Sequence, residues 1–399
     1  MTNFLIGRQQ IFDRNLNIYA YELLFRGNEF DLSQETQAVQ ATNQILTDTI
    51  LEYGINRLVE THKAFINFTG GNILEKTPLN LPKDRIVIEL LEDIRVDLRI
   101  INNIRELSNL GYTIALDDFI LNDEWRPLLT YADIIKLDVL QMSEDEICSV
   151  IEKLRRYPVK LLAEKVESLK QFEWLQSLGF DYFQGFFLSK PNIVQGRRIG
   201  VNQTAAIRLL AAINNPDVEF SDLAQIISQD VSLSFKLLHY INSAFFAIPR
   251  RIESIRHAVS YLGLNEIKRW SNILTLASLS SKPKALLQTA LIRAKMCECL
   301  ARQMTEEPEH FFLIGMLSTL DSILDIPIED ALELLPLTSD VIDAILHKKG
   351  LGGELLDFVL NFEQWLPQSV FFKNLTPTAI NSAYLDSIHW TNEVLSQID

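Results

Sequence analysis

In the first half of this chain, a carboxylate, an amide or a lysine stands at or just past the end of one short apolar run after another. Glu22 lies in the run at 17–25, Asn67 in 64–68 and Glu89 in 85–90; Asp117 and Asp118 come directly after 112–116. Lys136 and Asp138 close 133–138, Glu164 comes after 159–163, and Gln184 after 180–183. Taken singly, each has an ordinary explanation as a loop residue or helix cap, and Asp117-Asp118 is well placed to cap the next segment. Recurrence at successive strand ends is harder to explain that way. Carboxylates gathered at one mouth repel each other unless cations lie among them. Oxygen and amide ligands suit Mg²⁺ or Mn²⁺, and the lack of histidine at these positions argues against zinc. Two such ions can activate water and steady a phosphoryl transition state, so residue type and placement point to metal-assisted phosphodiester hydrolysis.

Residues so far apart in sequence need a scaffold that brings them together. The runs NIYAYELLF, AFINF, RIVIEL, YTIAL, DIIKL, VKLLA and FDYF are rich in β-branched and aromatic residues. From the second onward their starts lie roughly 20–27 residues apart, the length of a strand, a helix and two loops. Between them, 95–110 places Leu98, Ile101, Ile104 and Leu107 at three-residue spacing before Gly111; 168–178 has the same form before Gly179, and 33–53 reads as a long helix. This alternation predicts a parallel sheet, and so many consecutive units favour a closed, TIM-like (β/α) barrel whose strand ends share one rim.

Bulk properties frame the rest. A chain of 399 residues is expected to fold as two domains of about 200 residues each, a barrel over 1–195 and a helical domain over 200–399. Hydrophobic residues at 47% supply enough apolar surface for two cores. The net charge of −15 argues against nucleic-acid polymers and anionic membranes as partners. Cys148, Cys297 and Cys299 form no paired framework, which fits a reducing cytoplasm, and no signal-peptide-like or membrane-length apolar run is evident.

The ordered motifs over about residues 4–192 resemble the EAL family of cyclic di-GMP phosphodiesterases. They are Tyr21-Glu22-Leu23-Leu24-Phe25-Arg26, Ile66-Asn67-Phe68, Glu89-Leu90-Leu91-Glu92 and Leu116-Asp117-Asp118-Phe119. Ile135-Lys136-Leu137-Asp138, Ala163-Glu164-Lys165-Val166-Glu167 and Gln184-Gly185-Phe186 with Ser189-Lys190-Pro191 complete the set. The resemblance implies that Glu22, Asn67, Glu89, Asp117 and Asp118 ligate two divalent cations, Mg²⁺ or Mn²⁺. It implies that Lys136 contacts the attacking water or phosphate and that Glu164 assists as base or further ligand. Arg26 would pair with a phosphate, Gln9 and Gln184 would hold the dinucleotide, and the product would be linear pGpG. This chain departs from the family pattern at Leu23 (where Ala is usual), at Lys165 (where Gly is usual), and at 120–125, which replaces a glycine-rich loop. Those departures keep an alternative open: a catalytically degenerate barrel acting as a cyclic di-GMP receptor or protein-interaction scaffold.

Beyond a linker at 192–202 the pattern becomes helical to the end, with amphipathic segments at 204–213, 220–228, 232–241, 255–262, 265–279 and 285–304. The segment from Asp230 through Asn242-Ser243-Ala244, together with 255–263, resembles the HDOD family of helical signalling domains, with Val231 where Pro is usual. Related helical hydrolases carry a His-Asp metal pair where this chain has Ser318-Thr319, so this half is expected to work by protein contact, with no catalysis. Residues 346–353 (LHKKGLGG) read as a mobile loop.

Overall fold

The structure, a computed structural model, describes residues 4–27, 54–91, 94–117, 119, 124–188, 201–243, 246, 252–278, 283–304, 308–366 and 371–398. It divides into two compact units, Met1–Leu188 and Ser189–Asp399.

In the first unit eight strands close into a barrel in chain order: β1 (Phe4–Asp13), β2 (Ile18–Gly27), β3 (Lys63–Phe68), β4 (Ile86–Leu90), β5 (Thr113–Leu116), β6 (Ile134–Asp138), β7 (Lys160–Glu164) and β8 (Tyr182–Gln184). All seven expected runs are strands. The eighth, β1, runs antiparallel to both β2 and β8, so the sheet is not the wholly parallel one that the rhythm predicts. The reversal is local. Asp13 Oδ1 accepts from the backbone N–H groups of Asn15 and Asn17, both at 2.8 Å, and Leu16 takes a left-handed φ of 62°, which folds β1 back onto β2 as a hairpin.

Ile11, Ala20, Phe65, Val87, Ala115, Ile134, Leu162 and Tyr182, one residue from each strand, form a buried apolar layer. Side chains alternate along a strand, so the residue two positions on shares the same inward face. This layer is the floor of the barrel interior.

The intervening helices begin and end where their caps dictate. Asp97 accepts from Arg99 N and Ile100 N to start Leu98–Asn109. Ser143 and Glu146 form a reciprocal capping box for Glu144–Leu154. Ser168 caps Leu169–Leu178, which stops at Gly179 with φ 104°. The helix expected at 33–53 lies outside the described residues.

The second unit contains twelve helices among the described residues, from Val201–Ile213 to Pro377–Ile398. Tyr240 packs on Trp270 at 4.0 Å, and Trp270 meets Trp390 at 5.8 Å, joining helices distant in sequence. Asn242 makes a reciprocal amide bond with the backbone of Ile252, 2.8 Å each way, which closes the connection between two helices. The segment 346–353 is not the mobile loop expected from its glycines: one helix runs to His347 and the next begins at Gly350. Gly352 and Gly353 serve close packing, since a Cβ on Gly352 would lie 2.6 Å from Ile314 Cδ1 and one on Gly353 would lie 2.2 Å from Lys348 C. Among the described residues no helix is long and apolar enough to cross a membrane.

Candidate active site

Two residues beyond the apolar floor on each strand stands a polar side chain: Gln9, Glu22, Asn67, Glu89, Asp117, Lys136, Glu164 and Gln184. Every strand contributes one, with Asp117 just past the end of β5. The alternation that buries the floor therefore also aims the chemistry inward, at the end where barrels of this type carry their sites.

Lys136 is the hub. Only 1% exposed, its Nζ donates to Glu89 Oε1 and lies 2.8 Å from Glu164 Oε1, 2.9 Å from Asp117 Oδ1 and 3.6 Å from Glu22 Oε2. Gln184 Nε2 donates to Glu22 Oε2 at 2.6 Å and to Gln9 Oε1 at 2.8 Å, and Asn67 Nδ2 donates to Glu22 Oε1 at 3.4 Å. The two glutamines, 175 residues apart, thus join the ring where its first and last strands meet.

One ammonium among four carboxylates sets their proton affinities. Burial opposes the charge on Lys136, but Glu164, Glu22, Glu89 and Asp117 outweigh it and hold the ammonium well above the ordinary lysine range. Burial, reinforced by the negative charge of Glu22, pushes Glu89 well above the usual carboxylate range. Burial also raises Glu164, to about 8, against the opposing pull of Lys136. At Asp117 burial pushes upward too, but Lys136 overcomes it and the group stays below the usual range. Neighbouring carboxylates with affinities so far apart offer both a proton acceptor and a permanent anion.

Among the described residues no three His, Cys, Asp or Glu side chains already stand spaced as a metal cage, and Lys136 lies among the carboxylates. The donor set nevertheless fits a hard divalent cation. Asn67 Oδ1, Glu89 Oε2 and Gln184 Oε1 are buried acceptors that no hydrogen-bond donor reaches, beside carboxylates that one ammonium cannot neutralise.

The structure brings Gln9, Glu22, Asn67, Glu89, Asp117, Lys136, Glu164 and Gln184 together. Asp118 lies outside the described residues, as do 120–123 of the altered loop. Arg26 stands on β2 opposite Leu5, and its side chain lies outside what is described. One contact went unread in the sequence: Lys165 Nζ donates to Asp138 Oδ2 at 2.6 Å. The two-residue spacing of Lys136 and Asp138 on one strand signals that Asp138 faces inward, but nothing in the sequence signals its partner.

The chain matches the family model of the EAL domain over residues 65–191 and that of the HDOD domain over 201–325. It is 33% identical over 402 residues to the uncharacterized protein YuxH of Bacillus subtilis (strain 168), covering 98% of each chain. To the cyclic di-GMP phosphodiesterase CdgJ of Vibrio cholerae serotype O1 it is 34% identical over 368 residues, covering 90% of this chain and 84% of CdgJ. This chain belongs to the EAL–HDOD family. A crystal structure of an EAL domain protein from Listeria monocytogenes EGD-e is similar at 22% identity and a TM-score of 0.39, covering 46% of this chain and 87% of that one.

The departure at Leu23 has a visible outcome. Leu23 is 1% exposed and alternates with Glu22, so its added bulk is packed on the face away from the mouth. In the helical half, Ser318 is engaged by a buried arginine. Arg293, 5% exposed, donates to Ser318 Oγ at 2.9 Å and through Nη2 to Glu363 Oε2 at 2.7 Å.

Proposed function

We propose that the barrel hydrolyses cyclic di-GMP to linear pGpG, with two divalent cations, Mg²⁺ or Mn²⁺, held by Glu22, Asn67, Glu89 and Asp117 together with Asp118. The observation that carries this reading is the ring of eight inward polar side chains, one per strand, above a sealed apolar floor. Kinship with CdgJ, named a cyclic di-GMP phosphodiesterase, supports the choice of substrate.

Bound cations would supply charge against the phosphoryl oxygens and lower the pKa of water. The rest falls to side chains. Glu164, whose Oε1 lies 2.8 Å from Lys136 Nζ, is the carboxylate at the mouth that takes a proton from the attacking water. Lys136 keeps its proton, orders the carboxylates and presents N–H to a phosphate oxygen. Gln184 fixes the orientation of Glu22, and with Gln9 it offers amide groups to the dinucleotide. Arg26 pairs with a phosphate. The HDOD half serves as a docking or regulatory module for a protein partner in the cytoplasm.

Incubation of the purified protein with Mn²⁺ and cyclic di-GMP, with products separated by chromatography, tests the reading. The linear dinucleotide should appear, and Glu22→Ala should abolish it; a folded protein with no turnover removes the phosphodiesterase. A second reading, a receptor that binds without cleaving, is favoured by Lys136 standing in the centre of the carboxylates. Calorimetric binding of cyclic di-GMP with no product would select it.

A further inference from the structure

Lys165 directly succeeds Glu164 in the chain, and its backbone is left-handed, with φ 56°. Glycine takes that conformation freely, whereas a lysine takes it at a cost, so a compensating interaction is expected. The structure supplies one, the 2.6 Å bond from Lys165 Nζ to Asp138 Oδ2. Asp138, 8% exposed, is held a second time by the N–H of Leu140 on Oδ1 at 2.9 Å. It lies two residues beyond Lys136, hence on the inward face at the mouth, and its Cα is paired in register with that of Glu164. Asp138 is therefore a fifth carboxylate beside the four that surround Lys136, and its charge is already matched.

We infer that Lys165 is a positioning residue that occupies Asp138 as a built-in counter-ion and so weakens the hold of the mouth on divalent cations, an inference that rests on the metal reading proposed for the barrel. Two effects act in the same direction. The ammonium repels an incoming cation, and the carboxylate it engages is no longer a free oxygen ligand or uncompensated negative charge. Cation occupancy of this barrel then tracks the surrounding concentration of metal more closely than it would with a neutral residue at 165.

The test is titration calorimetry of the full chain with Mn²⁺ alone. Lys165→Asn suits a left-handed backbone and removes the charge, and should bind Mn²⁺ about tenfold more tightly, the scale of deleting one unit charge at a partly screened position. Lys165→Arg should retain the wild-type affinity, and adding Asp138→Asn to Lys165→Asn should cancel the gain. Equal affinities of wild type and Lys165→Asn, both melting cooperatively, overturn the inference and leave the metal reading in place. A gain that survives in the double variant overturns the role of Asp138. Absence of Mn²⁺ binding by either protein removes the metal reading and this inference together.

Discussion

Lys136 is 1% exposed and is surrounded by carboxylates that have few other donors. Removing one partner from a buried ionic cluster strands the others, at a cost of about 3–5 kcal/mol. Lys136→Met should therefore lower the denaturant midpoint of the metal-free protein, and Mn²⁺ should restore much of the difference. An unchanged midpoint in chelator would contradict the hub role. Glu164 makes a pH prediction with a definite sign. Its folded value of about 8 lies above the ordinary glutamate value of ~4.3, so folding favours its protonated form. That contribution is complete below the ordinary value and disappears as pH rises toward 8. Metal-free protein should lose stability across that interval, and Glu164→Gln should flatten the loss, as read by denaturation at a series of pH values.

At the level of strands and helices, Gly185 sets how closely the ends of β7 and β8 approach. Its φ is 148°, and a Cβ there would lie 2.2 Å from Val166 O and 2.5 Å from Val166 N. Gly185→Ala should cost about 1–3 kcal/mol by overpacking, and should displace the adjacent Gln184 from Glu22. A melting temperature equal to the wild type would refute this. In the helical half, buried Glu298 accepts from Arg302 at 2.6 Å and from Arg269 and Lys295 at 3.0 Å each. Burial pushes its carboxyl up, but Arg269 and Lys295 outweigh that and hold it below the usual range. Its stabilisation is present above the ordinary carboxylate pKa and is lost as pH falls through the lower folded value, so Glu298→Gln should blunt acid unfolding of this half. The sequence made seven strands legible because β-branched runs recur at the spacing of a strand and a helix. It concealed β1 because Arg8-Gln9-Gln10 interrupts the apolar pattern, yet Gln9 is inward for the same reason that Ile11 is. The polar ring could be read because period-two alternation is local. The partner of Lys165 could not, because a left-handed turn redirects a side chain in a way that composition does not encode. Gly352 and Gly353 misled for a related reason, since glycine marks close packing as well as mobility.

For the molecule as a whole, a net charge of −15 opposes the approach of an anionic dinucleotide. Moderate salt screens that repulsion, so kcat/KM for cyclic di-GMP should rise, about two- to threefold, as KCl increases toward physiological ionic strength at saturating Mn²⁺. A falling value would locate the dominant field in local cations instead. The ring has a further consequence for how the protein is made. Glu22 leaves the ribosome early, but the amide that orients it, on Gln184, emerges 162 residues later. At about 5–20 residues per second, the nascent chain spends several seconds or more with its acidic strand ends unassembled. The ring is complete only when the last strand docks against the first, so premature termination anywhere before that point leaves the mouth of the barrel unassembled.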